Sequence, residues 1–259
     1  MAAIIKELIN NIGTITLNNP EKRNALSKTL LSELVSALDD FAKNKARVVI
    51  IRAPAGSKVW SSGHDVKELK EIEDDPLSYD YPLEKAIRVV EDFPSPVIAF
   101  IEGSVWGGAC ELVFTCDILI ATPESTLAIT PAKLGVPYNP TGIMHFLNMF
   151  EMSVIKEMFF TAQPITAQRA EVLGIINHVH PPDKIENFVY EMAERIAFNS
   201  PLAISVIKEQ LRMLGKSRPL NPDTFEKIQM LRRIVYDSKD YKEGINAFLE
   251  KRPPEFIGE

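Results

Sequence analysis

Short apolar runs bounded by charge alternate with amphipathic helical stretches through the first two-thirds of this chain, and that alternation restricts its fold more than any other feature. Ile12-Gly13-Thr14-Ile15-Thr16-Leu17 has the β-branched alternation of a strand and stops at Asn18-Asn19-Pro20. Ser27 is placed to cap a helix in which Leu30, Leu31, Leu34 and Leu38 recur at helical spacing. Arg47-Val48-Val49-Ile50-Ile51-Arg52, Pro96-Val97-Ile98-Ala99-Phe100-Ile101 and Asp117-Ile118-Leu119-Ile120-Ala121 read as buried strands. Strands that alternate with helices need crossover connections, so an α/β fold with largely parallel sheets is expected. Beyond about Pro182 the strand signals stop. Residues 183–199, 201–214, 223–236 and 240–249 read as four helices, punctuated by Pro201, Pro219 and Pro222. Asp183 and Asp223 suit N-caps and Gly215 suits a C-cap. The pattern leaves open whether this helical tail is a separate domain.

At 259 residues the chain can bury a core of normal size. Its formal charge of -6 argues against non-specific nucleic-acid binding, which needs a basic footprint. An anionic ligand then requires a local basic cluster. Lys22-Arg23 and Lys251-Arg252 are such pairs, although each suits a solvated face equally well. Cys110 and Cys116 have neither zinc-site nor disulfide-framework spacing and read as buried thiols of a reducing compartment. The N-terminus lacks a signal-peptide apolar region, and no apolar run approaches about 20 residues. A cytoplasmic protein without membrane attachment is expected. His64, His145, His178 and His180 form no pair with metal-ligand spacing, so no metal is expected.

Three segments could carry chemistry. Ser61-Ser62-Gly63-His64-Asp65 follows a strand; its small residues admit a ligand to the backbone, and Asp65 can cap a helix from Val66. A plain strand-to-helix turn explains it as well. Gly103-Ser104-Val105-Trp106-Gly107-Gly108-Ala109-Cys110-Glu111 follows another strand and opens a helix. A double glycine there exposes free N–H groups, which suit an oxyanion, or else meets close helix–sheet packing. Two such turns could converge two amides on one oxygen. Glu111 shares the first turn with Gly108, either as a general acid or base or as an acid favoured by the helix dipole. In Thr130-Pro131-Ala132-Lys133-Leu134-Gly135-Val136-Pro137-Tyr138-Asn139-Pro140, prolines stiffen a loop offering the hydroxyls of Thr130 and Tyr138.

In order and spacing, Lys22-Arg23-Asn24-Ala25-Leu26-Ser27, Ser62-Gly63-His64-Asp65, Trp106-Gly107-Gly108-Ala109-Cys110-Glu111 and Leu134-Gly135-Val136 resemble the crotonase (enoyl-CoA hydratase/isomerase) superfamily. So do Ala167-Gln168-Arg169-Ala170-Glu171-Val172-Leu173-Gly174-Ile175-Ile176 and Tyr241-Lys242-Glu243-Gly244-Ile245-Asn246-Ala247-Phe248-Leu249-Glu250-Lys251-Arg252, so the resemblance spans essentially the whole chain. It is similar in finer detail to the family's decarboxylating branch. That likeness rests on Arg52-Ala53-Pro54-Ala55-Gly56-Ser57-Lys58-Val59, Asp75-Pro76-Leu77-Ser78-Tyr79-Asp80, Glu102-Gly103-Ser104-Val105-Trp106-Gly107-Gly108, Gly135-Val136-Pro137-Tyr138-Asn139 and Arg232-Arg233-Ile234-Val235-Tyr236-Asp237-Ser238.

The resemblance implies a spiral of ββα turns over residues 1–198 carrying an acyl-CoA site. It implies a helical region over 199–259 that makes trimers, often paired into hexamers, and closes the CoA site. It implies an oxyanion hole from the His64 and Gly108 amides, with substrate contacts at Lys22, Ala25, Ser62, Gly63, Asp65, Val66, Thr130 and Lys251 and no metal or biotin. A hydratase of this family uses two glutamates, one matching Glu111 and the other falling at Pro131, which cannot transfer a proton. Water addition is therefore unsupported. Decarboxylation of methylmalonyl-CoA to propionyl-CoA through an enolate is the activity implied, with Tyr138 orienting the departing carboxylate. The alternatives are a hydratase or isomerase with displaced catalytic groups, and a non-catalytic acyl-CoA-binding protein.

Overall fold

The computed structural model describes residues 2–69, 78–215 and 222–258. Asp75, Pro76 and Leu77 of one quoted segment, and Pro219, lie outside the described residues. Among the described residues, ten strands form two sheets. The strands are β1 (Ile4–Ile9), β2 (Ile12–Leu17), β3 (Val48–Arg52), β4 (Val59–Ser61), β5 (Val97–Ile101), β6 (Ser104–Trp106), β7 (Ile118–Ala121), β8 (Thr126–Ala128), β9 (Ile165–Thr166) and β10 (His178–Val179). The larger sheet runs β1-β2-β3-β5-β7-β10 and the smaller β4-β6-β8-β9. Every pairing is parallel except β1 with β2 and β8 with β9. From β3 to β8 successive strands thus step to and fro between the two sheets, which is the spiral expected from the resemblance.

The helices are α1 (Lys28–Lys43), α2 (Val66–Leu69), α3 (Pro82–Glu91), α4 (Gly108–Thr115), α5 (Pro140–Met149), α6 (Met152–Thr161), α7 (Ala167–Val172), α8 (Pro182–Phe198), α9 (Pro201–Gly215), α10 (Pro222–Tyr236) and α11 (Lys239–Glu250). Ser27 caps α1, its hydroxyl accepting from the Leu30 N–H at 3.3 Å. The period-two alternation of a strand sends neighbouring residues to opposite faces of the larger sheet. Ile12, Val48, Ile50, Ile98, Phe100 and Ile120 pack beneath Ile185, Val189 and Ala193 of α8. Ile15, Val49, Ile51, Ala99 and Leu119 join α1, α3 and α4 in the main core. Covered on both faces, these strands have no polar side to show, which is why they read as unbroken apolar runs.

Two expectations are corrected. Asp183 is not the N-cap of α8: Pro181 is, and Pro182 takes the first helical position, where its missing N–H is no loss. The segment from Gly103 to Gly108 is not one turn from strand to helix, because Ser104–Trp106 forms β6 between β4 and β8. The four late helices lie close to their expected bounds. Asp223 sits in the first turn of α10, and Gly215 is the last helical residue of α9. Helix α11 returns to the core. Its Gly244 lies so close to the chain at Leu134 that a Cβ there would come within 2.3 Å of the Leu134 carbonyl oxygen.

Candidate active site

The turn that carries Lys22 and Arg23 is held by consecutive left-handed residues, Arg23 and Asn24, both with φ of 51°. Asn24 spends its amide on the Trp60 carbonyl at 3.0 Å and takes the Asn19 N–H at 2.9 Å on its side-chain oxygen. The Ser61 hydroxyl donates to the Asn24 carbonyl at 2.7 Å and the Ser62 N–H to that of Arg23 at 2.9 Å. The first motif is thereby sewn to the second, although some 40 residues separate them in the chain.

Leu26 forms an isolated parallel bridge with His64, its N–H donating to the Gly63 carbonyl at 2.8 Å. In such a bridge Leu26 takes both hydrogen bonds, so the N–H of His64 points to the other side. Across that gap is the start of α4. Gly63, with φ of 84°, approaches the Trp106 carbonyl so closely that a Cβ would come within 2.4 Å of its oxygen. Gly107 is the α4 N-cap, with φ of 54°, and Gly108 is the first helical residue, where amides lack intrahelical acceptors. The backbone N–H groups of His64 and Gly108 belong to segments brought together here.

The His64 ring is neutral near pH 7. Burial pushes its pKa down to about 4, with Asp65 opposing and Lys28 adding to the shift. Its Nε2 lies 3.0 Å from the Tyr81 hydroxyl. Asp65 caps α2, accepting from the Lys67 N–H at 3.2 Å, and pairs with the Lys22 ammonium at 3.2 Å.

A cavity of 640 Å³ opens between these segments. Lys22, Ala25, Ser62, His64, Asp65, Val66, Gly108, Glu111, Thr130 and Tyr138 all stand on its wall. Gly63 and Lys251 do not; Gly63 packs behind the wall, and Lys251 is the exposed left-handed C-cap of α11. The neighbouring Arg252 does line it, held by Glu243 at 2.6 Å and Glu250 at 2.7 Å. Helix α11 adds Gly244, Phe248 and Leu249. Leu83, Leu134 and Val136 complete a largely apolar interior. Pro131 is on the wall as well, so the position of the absent second glutamate faces the cavity with no proton to give.

At the closed end, the Tyr138 hydroxyl donates to Glu111 Oε2 at 2.8 Å. Both residues are buried, and Phe159 fixes the tyrosine ring edge-on at a centroid distance of 5.0 Å. Burial first and then the adjacent Glu111 hold the phenol well above its ordinary pKa. Two further residues near this pair were not singled out from sequence. Glu84 of α3 is buried and accepts from the Asn139 amide. Its pKa rises to about 7, chiefly from burial and then from Glu111. His145 of α5 places Nδ1 at 3.7 Å from Glu111 Oε1. The signal for Glu84 was present: an acid three residues before Ile87, on the apolar face of its helix. His145 had no comparable signal.

Among the described residues no group of three or more His, Cys, Asp or Glu side chains could hold a metal ion. Nor is any helix among them long and apolar enough to cross a membrane.

Comparison with known proteins agrees with this geometry. The methylmalonyl-CoA decarboxylase of Escherichia coli (strain K12) is 50% identical over 250 residues, covering 96% of each chain. A probable mitochondrial enoyl-CoA hydratase of Dictyostelium discoideum is 31% identical over 94% of this chain and 86% of its own. A solved structure of methylmalonyl-CoA decarboxylase in complex with 2-nitronate-propionyl-CoA superposes with a TM-score of 0.97, at 49% identity over 99% of each chain. The family model for enoyl-CoA hydratase/isomerase matches residues 7–259. With the two-sheet spiral, the paired glycine turns and this match over nearly every residue, the chain belongs to the enoyl-CoA hydratase/isomerase family, the crotonases.

Proposed function

We infer that the protein decarboxylates methylmalonyl-CoA to propionyl-CoA. The observation that carries this reading is the wall at Pro131: a buried carboxylate, Glu111, hydrogen-bonded to Tyr138, shares the cavity wall with a proline at the position where a hydratase of the family would carry its second glutamate. Half-identity to the E. coli decarboxylase supports it. Activating water for addition to a double bond calls on two proton-transferring groups. Decarboxylation calls on fewer.

In the proposed course, the thioester oxygen lies between the N–H groups of His64 and Gly108. The substrate carboxylate stands perpendicular to the thioester plane, at the closed end beside Tyr138 and Thr130. There the apolar wall disfavours its charge. The bond to the carboxylate carbon breaks, carbon dioxide leaves, and the electron pair becomes an enolate whose oxygen the two amides stabilise. A proton then adds at C2. Lys22 and Arg23, both on the wall, are assigned to the CoA phosphates, and Ala25, Ser62, Asp65 and Val66 shape that entrance, with Gly63 packed behind it. Lys251, exposed and off the wall of the single chain, is assigned a ligand contact across a subunit interface. The scheme uses neither metal nor biotin.

We further propose a trimer or a pair of trimers. Phe198 is 90% exposed and Leu202 75% in the single chain, and Leu211, Met213, Met230 and Ile234 extend the apolar surface along α9 and α10. The region from 199 onward then serves association as well as closure of the cavity by α11. A cytoplasmic location is supported by the two buried free thiols.

Separate incubation with methylmalonyl-CoA and crotonyl-CoA, followed by mass, tests the reading. Propionyl-CoA from the first and no hydration of the second is the expected result. Hydration of crotonyl-CoA alone selects a hydratase, and inertness to both selects a binding protein.

A further inference from the structure

Decarboxylation consumes one proton per turnover. The C–C bond breaks, its electrons pass to the enolate, and a proton must reach C2 to make the new C–H bond. On the decarboxylase reading, on which this inference rests, a largely apolar cavity must therefore be resupplied with protons. Beside the positions assigned to the thioester and its carboxylate, three titratable groups of the wall could hold one: Tyr138, His64 and Glu111. Burial and Glu111 keep Tyr138 from giving its proton up, and burial leaves His64 without a surplus proton near neutrality. Glu111 remains.

Glu111 sits within a set of charged groups. Its Oε2 accepts from Tyr138, while Oε1 is buried without a hydrogen-bond partner. Helix α3 faces it with Glu84, which the Asn139 amide holds, and carries Arg88 one turn on. Burial first, and then the charge of Glu111, raise the Glu84 pKa to about 7, so the cluster retains a proton on α3 near neutrality. On the side away from the cavity, α5 presents His145, with Nδ1 at 3.7 Å from Glu111 Oε1. The other ring nitrogen, Nε2, lies 4.0 Å from Glu91 Oε1 at the end of α3. The side chains become more accessible along this row, from 1% for Glu111 to 15% for His145 and 18% for Glu91. Gly142, three residues before His145 and on the same face of α5, leaves the approach open; a Cβ there would lie 2.7 Å from Oε1.

We propose that His145 is a positioning residue that reloads Glu111 with the proton delivered to C2, drawing it from solvent past Glu91. Protonated Glu111 gives its proton to the enolate carbon and is left as carboxylate. Nδ1 of His145 then passes a proton to Oε1 as Nε2 takes one from the Glu91 side, where solvent replaces it. The separations are longer than hydrogen bonds, so the ring moves to make each contact, and it regains its first tautomer by a ring flip or through solvent. By microscopic reversibility the same route removes a proton from C2 of the product. The enzyme therefore exchanges the C2 hydrogens of propionyl-CoA with those of water.

The test uses the full-length enzyme in deuterium oxide. Deuterium entering C2 of propionyl-CoA is followed by mass, and carbon dioxide release from methylmalonyl-CoA is measured in parallel. Wild type is expected to exchange. His145→Gln is expected to slow exchange roughly 10- to 100-fold, within the span of general acid–base catalysis, with a smaller fall in carbon dioxide release and KM unchanged. Imidazole added to His145→Ala should restore exchange in part. Exchange by His145→Gln at the wild-type rate would overturn the proposal. So would equal loss of both activities with a lowered Tm, which marks a structural role, or a wild type that releases carbon dioxide without exchanging. A wild type that exchanges but releases no carbon dioxide sinks the decarboxylase reading and leaves the relay standing.

Discussion

Gly142 lies so near Tyr138 that a single added methyl group would come within 2.3 Å of the ring's Cε1 atom. The same methyl would meet Asn139 Oδ1 and Glu111 Oε1 at 2.7 Å each. One glycine on α5 thus makes room for the buried pair of Glu111 and Tyr138 and for the cap of its own helix. Overpacking of this kind costs about 1–3 kcal/mol. Gly142→Ala should lower Tm by several degrees, as read by calorimetry, and reduce kcat more than it raises KM. An alanine variant with unchanged Tm and kcat would show that the pocket relaxes freely.

Tyr138→Phe removes one hydroxyl and keeps the edge-on packing against Phe159. A hydrogen bond to a charged group contributes about 1.5–3 kcal/mol, or roughly 10- to 150-fold in rate. That loss should appear in kcat for methylmalonyl-CoA. Glu111→Gln should slow carbon dioxide release less, because no water has to be activated. The reverse order, with Glu111→Gln inactive and Tyr138→Phe intact, returns the glutamate to the centre of bond cleavage and favours a hydratase mechanism.

A valine at Gly108 would begin by striking Leu83, whose Cδ2 lies 2.8 Å from the added Cβ. Its branches would then crowd the first amide of α4. Losing one oxyanion-hole donor typically costs about 100- to 1,000-fold in kcat. Gly108→Val is expected in that range, with CoA affinity retained when measured by calorimetric titration.

Lys22 already has a carboxylate partner in Asp65 at 3.2 Å, whereas Arg23 shares the mouth of the cavity. Remote ligand contacts act alike on ground and transition states, so their loss raises KM and spares kcat. Arg23→Ala should therefore raise KM about 3- to 10-fold with little change in kcat, an effect that shrinks with added salt. A fall in kcat at constant KM would remove Arg23 from the CoA site.

Glu84 gives stability a pH dependence of definite sign. Its pKa rises in the fold from 4.5 to about 7, first through burial and then through Glu111. Between those values the folded chain holds a proton that the unfolded chain has released. The group's contribution is intact below pH 4.5 and is lost as pH rises through 7. Glu84→Gln should thus gain stability relative to wild type on going from pH 5 to pH 8, by on the order of 3 kcal/mol at most. Urea unfolding at both pH values measures it, and an unchanged difference would contradict the assignment.

The sequence was most legible where an element is buried on both faces. Residues 48–51 and Val97–Ile101 are unbroken apolar runs because α8 covers one side of the sheet and α1, α3 and α4 the other. The three-residue strands β4, β6 and β8 are too short to show any period, and pairing alone defines them. Strand β1 was missed for another reason: after Ile4 its residues are exposed, so the ladder to β2 has no apolar face to announce it. In the site, glycines and the acid at Glu111 stand out because local backbone demands them. The approach of His145 and Glu84 to Glu111 comes from packing between helices distant in the chain, and no spacing within one segment encodes it.

The donors assigned to the thioester oxygen belong to the peptide chain, at His64 and Gly108. No codon change can delete a main-chain N–H except one to proline; substitution can only displace it. The amide at position 64 therefore survives a change of side chain so long as its bridge to Leu26 holds, even where the ring's contact with Tyr81 is lost. Inherited loss of activity should more often arise from residues that set the backbone, such as Asn24 and Gly63, than from the residue that lends its amide.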